Sequence, residues 1–200
     1  METRNFKILV TAICIGLTAF WLTAYNIVRL GIDPIEYIQQ NTSEALSDEQ
    51  SDDSKTLLTI KGKVKEDLRL SLSDLKSDKY RQVTDDFDFK NSYGTKWTAE
   101  YTGTTLWSIL EAEGILEYDD LTFKFIGQDG YESPVALSIE DLAKKYENKV
   151  ILAYEVEGQP LTDDNGPVRS IIDREVIQYL EPNHYNSQFA VKDLKYVEIK

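Results

Sequence analysis

Apolar positions fall into three rhythms along this 200-residue chain. Residues 8–28, ILVTAICIGLTAFWLTAYNIV, carry no charge and are bracketed by Lys7 and Arg29. As a helix rising about 1.5 Å per residue they span roughly 30 Å, the depth of a bilayer's hydrocarbon core. Residues 41–55, NTSEALSDEQSDDSK, have no rhythm at all and read as a solvated acidic tether. From Thr56 onward the rhythm alternates between period two and period 3.6.

LLTIKGKV alternates through Leu58, Ile60 and Val64, and LRLSLSDL through Leu68, Leu70 and Leu72, both strand patterns. TTLWSILEAEGI places Leu106, Ile109 and Leu110 at helical spacing, with a Thr before them as cap and Gly114 after them as stop. LTFKFIGQDGY predicts a strand through Leu121, Phe123 and Phe125 that enters a turn. SIEDLAKKY opens with Ser138 and Asp141 at capping-box spacing and predicts a short helix. KVILAYEVEGQPL predicts a buried strand and tight turn, and VRSII and LKYVEIK are the last strands. Strands outnumber helices and βαβ alternation is not strict. The expectation is an α+β fold, a mixed sheet or barrel with short helices, preceded by one transmembrane helix.

Trp21 and Tyr25 near the far end of residues 8–28 suit an interfacial aromatic belt. A cleaved signal peptide would have a shorter apolar core and a small-x-small site after it, and no such site stands out. Cys14 hints at lipidation, but Ile13 stands where a small residue is expected. Arg4 and Lys7 before the span favour residues 1–7 in the cytoplasm. The predicted organisation is therefore a single-pass span at 8–28, an acidic linker at 29–55, and a domain at 56–200 outside the cytoplasm, held to the membrane.

A net charge of −13 argues against nucleic acid as partner, because phosphate binding needs a basic face. One cysteine, Cys14, and one histidine, His184, remove cysteine metal clusters and leave a single candidate for any histidine base. The acids at 85, 86, 88 and 163–164 lack the Asp-x-Asn-x-Asn-Gly calcium loop and read as a solvated face.

The order of the segments LTIKGKV, LSLSDLKS, WTAEYTGTTLWSILEAEGI, FIGQDGYESPVALSIEDL, ILAYEVEGQPLTDDNGPVRSII and VKDLKYVEI resembles the oxidoreductase molybdopterin-binding domain, the sulfite-oxidase-like fold, over roughly 56–199. The resemblance implies a molybdopterin-dependent oxidoreductase whose metal is held by a pterin and one cysteine thiolate, in a loop before the Trp strand. The matching stretch here, QVTDDFDFKNSYGTKW, contains no cysteine, and Asp85, Asp86 and Asp88 are hard-oxygen groups where a soft ligand is wanted. The expectation is a non-catalytic module that binds a small anion, a pterin-like ligand or a partner protein in a membrane complex. Molybdopterin itself is allowed only by resemblance, through an atypical ligand. A purely structural surface module is the third reading.

The candidate pocket residues are Arg169, Asp129, Tyr131, Tyr101, Trp97 and His184. Arg169 follows Gly166-Pro167 in a stiff turn, and the resemblance places it near the cofactor pocket. It could equally pair with Asp163, Asp164 or Asp173. Asp129 and Tyr131 sit in a turn that the resemblance places at the pocket rim, though Asp-Gly is also an ordinary turn dipeptide. Tyr101 precedes Gly103 and could line a cleft, while Trp97 and Trp107 have the spacing of core aromatics. His184 lies in a polar loop with no nucleophile partner in sight.

Overall fold

A computed structural model describes residues 55–118, 120–162 and 165–200. The expected span at 8–28 and the linker lie outside the described residues. Among those described, no helix is long and apolar enough to cross a membrane.

Among the described residues ten strands form two sheets. In the first, β1 (Leu58–Gly62) lies between β2 (Leu68–Leu70) and β10 (Leu194–Ile199), which continues to β5 (Thr122–Gly127) and β6 (Leu137–Ser138). β1 and β10 are parallel and the other pairs antiparallel, so the sheet is mixed as expected. The second sheet runs β3 (Gln82–Lys90), β4 (Lys96–Thr105), β7 (Val150–Val156) and β8 (Gln159–Pro160), with β9 (Arg169–Ile172) also on β7. All its pairs are antiparallel. VILAY of β7 is buried along its whole length, which is why it reads as a continuous apolar run rather than an alternation.

Two expectations need correction. The Leu68–Leu70–Leu72 alternation stops at Leu70. Ser71 takes an extended backbone and caps helix α1 (Leu72–Leu75): its Oγ accepts from Asp74 N at 3.1 Å and its N–H donates to Asp74 Oδ2 at 2.8 Å. A reciprocal cap satisfies two orphan donors at once and outweighs one more alternating leucine. The stretch 82–97, expected to be a loop, is instead most of a hairpin. Its register is unbroken from Gln82 opposite Thr104 to Lys90 opposite Lys96. Asn91 closes the turn, its Oδ1 accepting from the N–H of both Tyr93 and Thr95 at 3.0 Å.

Helix α2 (Leu106–Glu113) begins and ends as its sequence predicts. Thr105 accepts from Ser108 N at 3.2 Å, and Gly114 stops it in the left-handed region at φ 57°. Its Leu106, Ile109 and Leu110 are buried in the larger of two apolar cores, each gaining roughly 1.5–3 kcal/mol from transfer out of water. Ser138 caps α3 (Ile139–Lys144), as its spacing with Asp141 implied. Helix α4 (Arg174–Leu180) was not foreseen; Asp173 caps it by accepting from Glu175 N at 2.8 Å.

The smaller core lies on one face of the second sheet. It gathers Phe87 and Phe89 of β3, Tyr101 of β4, Ile151 and Ala153 of β7 and Ile171 of β9, with Leu161 and Ala190 packed on them. Arg169 shares that face, two residues from Ile171 on β9.

Candidate functional site

Arg169 is placed by pairing across three strands. It lies opposite Ala153 of β7, which lies opposite Gly103 of β4. Its Nε–H donates to Ala190 O at 3.3 Å. Burial lowers its pKa from the ordinary arginine value, and Tyr101 acts in the opposite direction. Among the described residues it has no carboxylate partner. Asp173, one of the acids expected to pair with it, caps α4 instead and accepts from Asp88 N at 3.1 Å. Asp163 and Asp164 lie outside the described residues.

Tyr101 is 6% exposed and meets Phe89 edge-on at 5.8 Å between ring centroids. Trp97 is not a core residue. It is 38% exposed and stacks on Phe89 at 5.1 Å with the rings 8° from parallel. Trp97, Phe89, Tyr101 and Arg169 thus share one sheet face, an aromatic strip leading to a cation.

The segment Gln188–Ala190 ties this face to two other candidates. The Tyr131 hydroxyl donates to Gln188 O at 2.9 Å, Ser170 Oγ donates to Phe189 O at 2.7 Å, and Arg169 takes Ala190 O. The edge of the His184 ring meets Phe189 at 6.2 Å. Three side chains singled out in the sequence therefore converge on three consecutive residues. His184 Nδ1 lies 3.5 Å from Glu181 Oε2 yet makes no hydrogen bond, so proximity there does not amount to a relay. Asp129 serves its own turn, accepting from Tyr131 N at 2.9 Å.

Two open clefts among the described residues are lined by none of the six candidates. One of about 480 Å3 lies against α2 and α3, and a second of about 440 Å3 adjoins it near Gly62. Sequence reasoning missed both, and it missed Ser170 and the 188–190 carbonyls.

Residues 45–177 match the oxidoreductase molybdopterin binding domain family, and the chain belongs to that family. Among solved structures it is similar to a chain of the sulfane dehydrogenase SoxCD from Paracoccus pantotrophus, at 17% identity and a TM-score of 0.56. That alignment covers 76% of this chain but only 39% of the other, and the likeness is one of fold. Comparison with curated proteins finds no match.

The family's cofactor presents a soft-metal requirement that the described residues do not meet. The stretch expected to carry the thiolate is a closed hairpin. Asp85 is taken by Lys149 Nζ at 3.1 Å, whose hydrogen bond holds the carboxyl below its usual pKa. Asp88 accepts from Arg174 Nη2 at 2.9 Å and Thr98 Oγ1 at 2.6 Å. Among the described residues no group of three or more His, Cys, Asp or Glu can share a metal ion. A dithiolene-bound molybdenum centre wants a thiolate, and the donors here are hard oxygens, of which Asp85 and Asp88 are already paired with cations.

Proposed function

We propose that this chain is a non-catalytic binding module of the molybdopterin-binding fold, tethered to a membrane and facing away from the cytoplasm, with Arg169 receiving the anionic part of a ligand. The observation that carries this reading is the half-buried Arg169 guanidinium, which gives only its Nε–H to Ala190 O. A guanidinium offers a fork of donors suited to carboxylate, sulfate or phosphate, and a desolvated one gains from such a partner. The hard-oxygen acids of the β3–β4 hairpin, two of them paired with cations, support a binding role over a redox one.

The full chain, made in a host that assembles molybdopterin, is expected to carry far less than one molybdenum per chain. In the same preparation sulfate is expected to raise the melting temperature, and Arg169→Ala to remove that rise while lowering the free protein only modestly. Sulfate also stabilises proteins by exclusion from their surfaces, so the difference between wild type and variant is the measurement. Stoichiometric molybdenum would favour the alternative, an oxidoreductase with an atypical metal ligand. An identical sulfate response in both proteins would reduce the domain to a structural module.

The tether rests on the uncharged run 8–28 and the Arg4 and Lys7 before it. The chain is expected to stay with membranes after a carbonate wash; a mature protein beginning near residue 30 would defeat this.

A further inference from the structure

We propose that the cleft between α2, the loop after Gly114 and α3 binds a small organic cation, a protonated amine or guanidinium carried on an apolar body. The site is distinct from Arg169, and the inference stands without it.

The cleft holds about 480 Å3, within the size range of small-ligand pockets. Trp107, Tyr118, Leu116 and Ile139 supply aromatic and aliphatic lining, and Asp120 and Glu140 supply charge. Among the described residues that line it, none is a lysine or arginine. Trp107 and Leu116 are apolar side chains at the margin of the larger core, half-buried rather than enclosed. Tyr118 stands 64% exposed at the rim, so a large aromatic surface is free to cover a guest.

Asp120 sets the sign. Its backbone is held in the left-handed region at φ 59°, and among the described residues its carboxylate has no ion-pair partner. Aromatic faces and a carboxylate both attract a cation, whereas an anion in the same place would face the Asp120 carboxylate. An uncharged apolar guest would leave the Asp120 carboxylate unused. The adjoining cleft shares Tyr118, Asp120 and Leu121 but brings in Lys63, so the preference for cations belongs to the first cleft.

The test uses the full chain with Trp21→Phe and Trp97→Phe, leaving Trp107 as the only tryptophan. Phenethylammonium chloride, phenylacetate and 2-phenylethanol are titrated in turn while Trp107 emission is followed. Phenethylammonium is expected to give a saturable change that weakens as salt is raised, with the other two at least about fivefold weaker. Asp120→Asn and Tyr118→Ala are each expected to weaken the ammonium by about fivefold. Asparagine tolerates left-handed backbone, so Asp120→Asn removes charge without straining the loop. Equal responses to all three probes, or none to the ammonium, would overturn the proposal. Retention of full ammonium affinity in Asp120→Asn would do the same.

Discussion

Asn186→Ala is expected to lower the melting temperature by about 10 °C. Asn186 is 1% exposed and joins three backbone groups far apart in sequence. Its Oδ1 accepts from Lys90 N at 2.9 Å, and its Nδ2 donates to Asp88 O at 2.8 Å and Ile172 O at 2.9 Å. β3 is an outer strand of its sheet, and these bonds cover its free edge. Alanine would leave one donor and two acceptors without partners, each costing about 1 kcal/mol or more. Roughly 3 kcal/mol converts to about 10 °C for a domain of this size. Thermal unfolding followed by circular dichroism reads it. A drop under about 3 °C would mean that water replaces the amide at no cost and that the staple is dispensable.

The same hairpin edge marks where the sequence stopped being readable. Strands that bury one face, such as LTIKG and TFKFIG, alternate cleanly and were legible. β3 buries only Phe87 and Phe89 among its nine residues, and three acids interrupt the apolar rhythm. An outer strand can be polar on both faces because part of it meets water, which removes the period-two signal. What holds β3 is β4 on one side and Asn186 and Asp173 on the other, and such distant partners leave no trace in a local window. α1 was legible in principle, since Ser71-x-x-Asp74 is a capping-box signature, but the leucine alternation masked it.

The candidate site divides in the same way. Arg169 could be found because a cation after Gly166-Pro167 stands out in an acidic chain. Its surroundings could not, because its one hydrogen-bond partner is a backbone carbonyl, and every residue has one. The 188–190 segment became visible only through the hydrogen bonds that Tyr131, Ser170 and Arg169 give to it. The cleft at Trp107 was hidden for a different reason. A tryptophan at helical spacing reads as core, and only the fold shows that it stands at the core's edge beside Tyr118 and Asp120.

Gly103→Ala is expected to cost about 3 kcal/mol or more, and to weaken the sulfate response along with stability. A Cβ at Gly103 would meet Leu152 O at 2.5 Å and Ala153 Cα at 2.6 Å. Both are backbone atoms of the neighbouring strand β7 and cannot swing aside as a side chain could. The pairing already shifts register between Thr102 and Gly103, where the two strands approach closely. Room for a methyl group requires β4 to move away from β7, and β3 follows because β4 is its only neighbour in the sheet order. Ala153 also moves, and Arg169 is paired to Ala153. Gly94→Ala supplies the comparison. Gly94 sits at the hairpin tip at φ 84° with nothing within 4 Å of its Cβ position, so alanine there meets conformational strain but no clash. That strain is worth roughly 1–2 kcal/mol. Chemical denaturation of both variants decides the point. A Gly103→Ala loss no larger than that of Gly94→Ala would show that β4 and β7 can part without cost, and the link from Gly103 through Ala153 to Arg169 would fall with it.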